Sequence, residues 1–171
     1  MIKPLCCLLV LALSASALTL NTIPPSITLE GDKGETANGK PWISHESLQG
    51  KVHILFYVDP DEKDTNNALS EALKRQKFDH NRYGSVAIVN MAATWMPNFA
   101  IEAKLKKKQE LYPDTLYVKD KQKVLVNAWG LADDNSDILL FDKTGKLLYF
   151  YEGKLDDSEI SKVIRLIEEH L

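Results

Sequence analysis

The chain has 171 residues and carries 21 Lys and Arg against 24 Asp and Glu, a net charge of −3. That slightly acidic balance offers no broad basic face for nucleic acid. Both cysteines, Cys6 and Cys7, stand at the extreme N-terminus, so everything after them lacks disulfides, thiol nucleophiles and thiolate metal ligands.

Lys3 is the one cation ahead of an apolar run, Leu5 to Leu13, and Ala15-Ser16-Ala17 follows it. This order predicts a secretory signal peptide over residues 1–17, cleaved between Ala17 and Leu18. The apolar run falls short of the ~20 residues a membrane span needs. No later segment comes near that length, so no span is expected after cleavage. Lipidation at Cys6 or Cys7 is the poorer alternative reading, because almost no n-region or h-region precedes them. Cleavage removes Lys3 and leaves 20 cations against 24 anions. Residues 18–171 have the length of one domain, which buries roughly 70% of its unfolded surface without a covalent staple.

Ser26 to Leu29 alternates as a strand does, the glycine-rich Glu30 to Lys40 reads as turns, and Pro41 to Ser44 reads as a returning strand. Val52 to Val58 is apolar enough for a strand buried on both faces. A helix pattern then begins in Asp59-Pro60-Asp61-Glu62, with Asp59 as N-cap, Pro60 at the first helical position and Glu62 closing a capping box. Its apolar stripe is Ala68, Leu69, Ala72 and Leu73.

Ser85 to Val89 is the next strand, and strand–helix–strand implies a right-handed crossover with parallel pairing. Met91 to Asn98 reads as a loop holding Trp95, Met96 and Pro97. Phe99 to Leu111 is a helix with Lys104, Lys106, Lys107 and Lys108 on its outer face. Leu116 to Val118 reads as a short edge strand, Lys121 to Trp129 as a short helix and Asp133 to Asp137 as an acidic loop. Ile138 to Phe141 and Leu147 to Tyr151 form an antiparallel hairpin about Lys143-Thr144-Gly145. Asp157 to Glu169 closes the chain as a helix with its stripe at Ile160, Val163, Ile164 and Ile167, capped by Asp156 or Asp157.

A βαβ unit, a second helix and a ββα unit follow the order of the thioredoxin fold. "LQGKVHILFY" and "ILLFDKTGKLLYFYEG" resemble the exported TlpA and peroxiredoxin branch of that fold. "LQGKVHIL", "HNRYGSVAIVN", "LYPDTLYV" and "DNSDILLFDKTGKL" together resemble the YtfJ family of bacterial periplasmic proteins, over roughly Pro24 to Leu171. The resemblance implies a three-layer α/β/α sandwich with a mixed central sheet and an N-terminal β-hairpin extension. It implies a periplasmic location and brings no established activity.

Thioredoxin-type redox chemistry needs a thiolate at the helix start and a second thiol to resolve the mixed disulfide. Here that junction holds Asp59-Pro60-Asp61-Glu62. The place where such enzymes carry a cis-proline falls near Ser136-Asp137, with no proline. No catalytic residue, cofactor or redox pair is therefore expected.

In a thioredoxin frame three loops meet at one edge and would gather Asp59, Asp61 and Glu62 with Asp133, Asp134 and Asp137. One reading is a hard cation such as calcium held by these carboxylates, in a metal-binding protein or enzyme. The plainer reading is a capped helix start and a solvated loop, since an EF-hand spacing is absent. His45, His53, His80 and His170 show no ligand spacing. The lysines near Lys104 solvate a helix face or, less simply, meet an anionic partner. Trp95, Met96 and Phe99 are large apolar residues in and beside a loop, so the fold buries them or a partner does. The sequence thus predicts a non-redox binding or accessory module whose partner is a periplasmic protein or small ligand.

Overall fold

The computed structural model describes residues 18–171, and the signal peptide read over 1–17 lies outside them. A six-stranded mixed sheet forms the middle layer. Its strands are β2 (Gly34–Thr36), β4 (Val52–Val58), β5 (Tyr83–Asn90), β6 (Thr115–Asp120), β7 (Ser136–Phe141) and β8 (Leu147–Glu152). They lie in the order β2-β6-β5-β4-β7-β8; β4, β5 and β6 run parallel, and the other pairings are antiparallel. The hairpin extension is β1 (Thr28–Leu29) paired with β3 (Trp42–Ile43), followed by the short α1 (Ser44–Ser47).

Strand alternation divides the core in two. Leu55, Tyr57, Ile88, Val118, Leu139 and Phe141 face one side, where α4 (Val124–Trp129) and the hairpin supply Leu125, Trp129, Leu29 and Trp42. Val52, Ile54, Ile138 and Leu140 face the other side. There α2 (Asn67–Gln76) brings Leu69 and Leu73, and α5 (Asp157–His170) brings Ile160, Val163 and Ile167. On that same side α3 (Asn98–Leu111) packs Ile101 and Leu105 against Met91 and Tyr117. Each helix shows the core a stripe spaced three or four residues apart, as a 3.6-residue period requires. Among the described residues no helix is long and apolar enough to cross a membrane.

β7 starts at Ser136, inside the expected acidic loop, α4 starts at Val124 and not at Lys121, and α1 is unexpected; three further elements differ from the sequence reading. Gly34–Thr36 is a strand, not a turn, and it pairs with β6, so Thr115–Asp120 is interior and longer than the expected edge strand. Gly34 adopts φ +145°, and a Cβ there would lie 2.0 Å from the Lys119 carbonyl oxygen. The glycine that looked like a turn signal is what allows two backbones to meet.

The third difference is the start of α2. Asp59 accepts the Asp61 N–H at 2.8 Å, but this caps only a single 3₁₀ turn, Pro60–Glu62. Glu62 accepts from Thr65 Oγ1 instead of reaching back to a cap, and the α-helix begins at Asn67. Buried Asn66 sets that start. Its Nδ2 donates to Ser136 Oγ at 2.9 Å and to the Gly153 carbonyl at 3.0 Å, while its Oδ1 accepts the Leu155 N–H at 3.0 Å. One amide so placed ties the helix entry to both β7 and the end of β8.

Candidate functional site

The carboxyl ends of the parallel strands β4, β5 and β6 open on one edge, which in open α/β sheets is where ligands bind. The Pro60–Glu62 turn, the loop after β5 and the loop entering β7 meet there. The Asp59 N–H donates to the Asn135 carbonyl at 2.9 Å, joining the first loop to the third. Thr94 Oγ1 donates to Asp61 Oδ2 at 3.0 Å, joining the second loop to the first. The edge predicted from sequence therefore forms.

The six acids do not share one environment. Asp59 is buried, and burial raises its carboxyl above the usual range, with the charges of Asp61, Asp134 and Glu62 adding to that rise. Asp133 is held low by its ion pair with Lys123, and Asn90 Nδ2 donates to it at 2.9 Å. Asp61, Glu62 and Asp134 are exposed, or nearly so, at the rim. Asp134 sits in the left-handed region at φ +55°, a conformation aspartate tolerates better than most side chains. Among the described residues no three His, Cys, Asp or Glu side chains converge as a cation cage would require.

Asp137 lies apart from the rim, on the buried face of β7. Register places it opposite Tyr57. Its Oδ2 accepts the Ala132 N–H at 2.8 Å, while Oδ1 is buried without a partner among the described residues. Burial pushes this carboxyl up to about 7. On the same face Asn90 stands opposite Asp120 in register. A polar row thus crosses four strands just beneath the edge: Asp137, Tyr57, Asn90 and Asp120.

Sequence reasoning missed Tyr57, Asn90, Asp120 and Lys123 as members of this edge. For Asp120 a signal existed, because an Asp immediately ahead of the expected helix Lys121 to Trp129 stands at its cap position. Its carboxylate accepts the N–H groups of Val124 at 2.9 Å and Leu125 at 3.0 Å. Tyr57 and Asn90 gave no such signal, since they read as ordinary strand residues.

Trp95, Met96 and Phe99 occupy the loop after β5 and the first turn of α3. Trp95 is 89% exposed and Phe99 75% exposed. Met96 is partly buried against the Met91, Ile101 and Leu105 cluster. The core takes the methionine and leaves both aromatic rings outside.

The family described as "Bacterial protein of unknown function (YtfJ_HI0045)" matches residues 25–170. The "Uncharacterized protein YtfJ" of Escherichia coli (strain K12) is 31% identical over 182 residues, covering 99% of this chain and 97% of the relative. An uncharacterized protein of Haemophilus influenzae Rd is 35% identical over 132 residues, covering 75% of this chain and 71% of its own. Among solved structures, thiol peroxidase from Chromobacterium violaceum superposes with a TM-score of 0.64 at 13% identity, covering 91% of this chain and 89% of that one. A SCO1/SenC family lipoprotein from Bacillus anthracis gives 0.59 at 16% identity, covering 90% and 99%. At such low identity these two establish the thioredoxin-like frame alone. With the family match spanning almost all of the described chain, the protein belongs to the YtfJ family.

Proposed function

We propose that this protein is an exported, non-redox binding module of the periplasm, which engages its partner at the edge where the three loops meet. The observation that carries this reading is the pair of exposed rings, Trp95 and Phe99, on a loop at the carboxyl ends of the parallel strands. Solvating two large aromatic side chains is unfavourable, and aromatic residues dominate the centres of binding surfaces. The absence of cysteine after Cys7 supports the non-redox half. Lys3, the apolar run from Leu5 to Leu13 and Ala15-Ser16-Ala17 support export.

A photoreactive benzoyl-phenylalanine placed at position 95 tests the edge, with the same residue at exposed Glu168 on α5 as control. Light-dependent adducts of one size from position 95, absent from position 168, are the expected result. Adducts from neither position, or equally from both, would remove the edge from consideration. Cell fractionation with N-terminal sequencing tests export, and a product that begins at Leu18 is expected. Insulin reduction should stay at the background rate, because no thiol remains to attack the disulfide.

A further inference from the structure

Trp95 and Phe99 stand on the loop and first helical turn that meet the acidic Pro60–Glu62 turn. The Thr94 to Asp61 hydrogen bond brings the Pro60–Glu62 turn against the aromatic loop. The Asp59 N–H bond to the Asn135 carbonyl at 2.9 Å sets Asp134, one residue earlier, beside the same turn as Asp61 and Glu62. Lys123 faces the same group but is taken by Asp133. On the far side Lys104 Nζ approaches Met96 Sδ at 3.6 Å, so the cationic face of α3 begins beyond the methionine. Lys63 pairs with Asp64. The aromatic pair is therefore bordered by negative charge toward β4 and by lysine toward α3.

We infer that this patch docks a cationic amphipathic peptide segment, with a large apolar side chain a few residues from Lys or Arg. The inference rests on the binding-module reading above and names the class of partner. The apolar side chain packs on Trp95 and Phe99. The cation reaches Asp61, Glu62 and Asp134, and a guanidinium or ammonium over the Trp95 face gains a cation–π attraction. An anionic lipid surface fits less well, because a flat bilayer lying on Trp95 would set its phosphates against those three carboxylates. A carboxylate-rich segment meets the same repulsion.

The test uses the full protein, a short peptide alternating Lys with Leu and Phe, its Glu-for-Lys counterpart, and phosphatidylglycerol vesicles. Trp42 and Trp129 are buried, so a shift of emission to shorter wavelength on binding reports Trp95. The lysine peptide is expected to bind and produce that shift, with an affinity that falls as salt rises. Measured by isothermal titration calorimetry, which does not depend on the Trp95 ring, affinity should drop about tenfold in Trp95→Ala and again in the double variant Asp61→Asn/Glu62→Gln, as loss of one anchor or of two charge contacts implies. Trp95→Phe should retain most of the binding, and unchanged urea midpoints verify that each variant is folded. Equal binding of the Glu peptide, undiminished binding in Trp95→Ala, or a shift with vesicles alone would overturn the inference. If the lysine peptide fails while position 95 still crosslinks, the partner class is wrong and the edge stands. If both fail, the edge reading falls with it.

Discussion

The Tyr57 hydroxyl on β4 donates to Asp120 Oδ2 on β6 at 3.1 Å, reaching over β5, which lies between them. Asp120 is fully buried, and its carboxylate also accepts the backbone N–H groups of Gln122, Val124 and Leu125. Four donors satisfy a carboxylate that has no salt-bridge partner among the described residues, which is the condition for keeping such a group buried. The consequence is an asymmetry between the two residues. Tyr57→Phe removes one donor of four and should cost about 1 kcal/mol, whereas Asp120→Ala orphans the start of α4 and the phenol together and should cost ~3 kcal/mol or more. Urea unfolding of both variants checks the ratio, and equal losses would show the tyrosine hydroxyl to matter as much as the caps.

Asp137 supplies a pH dependence with a definite sign. Its carboxyl titrates near 7 in the fold because burial disfavours the charged form, against an ordinary 3.8. The folded state therefore holds a proton that the unfolded state has already released between those values. Stability from this group is complete below about pH 4, declines as pH rises and is gone above pH 7. Asp137→Asn mimics the protonated form and removes the dependence. The difference in unfolding free energy between wild type and Asp137→Asn should widen in favour of the variant from pH 5 to pH 7 and then level off. His53, whose imidazole is held below its usual value by burial, favours the fold in the opposite direction and appears equally in both proteins. Parallel curves for the two proteins would show that Asp137 is ionised throughout.

The residues that sequence reading placed well are those whose pattern is local. Val52–Val58 is continuous and apolar, and it stands as β4 without adjustment. Asp156 accepts the Ser158 and Glu159 N–H groups at 2.9 Å each, as a cap before the final helix should. The failures come from partners distant in the chain. Gly34 looks like a turn because the reason for it, the Lys119 carbonyl, lies on another strand. Asp137 looks like the end of an acidic loop, because only register with Tyr57 reveals that it points into the core. The same holds for the edge: its loops were readable from the order of elements, but the division of its acids between rim, ion pair and core was not.

Gly84 stands opposite His53 in the β4–β5 register, and a Cβ on it would come within 2.6 Å of His53 Cδ2. The ring is held in place because Nδ1–H donates to the Lys51 carbonyl at 3.0 Å. Gly84→Ala must therefore displace the imidazole and break that bond, a loss of ~1–3 kcal/mol by overpacking and an orphaned donor. His53→Ala opens the space, so the double variant should recover part of the loss. A double-mutant cycle on urea midpoints measures this coupling, and strict additivity would show that the two side chains do not compete.

Trp95 provides a stability prediction that separates it from the other two tryptophans. Trp129 is buried and donates its Nε1–H to the Pro25 carbonyl at 2.9 Å, and Trp42 is buried beside it in the same core. Truncating Trp129 to Ala removes a packed ring and should cost ~3–5 kcal/mol. Trp95→Ala touches a ring already in water and should change stability by less than about 0.5 kcal/mol. Fluorescence gives an independent reading, since acrylamide should quench one tryptophan of three strongly and the Trp95→Phe variant should lose that accessible fraction. A Trp95→Ala variant as unstable as Trp129→Ala would mean that the fold itself covers this ring, and the aromatic loop would then be a part of the core with nothing left to offer a partner.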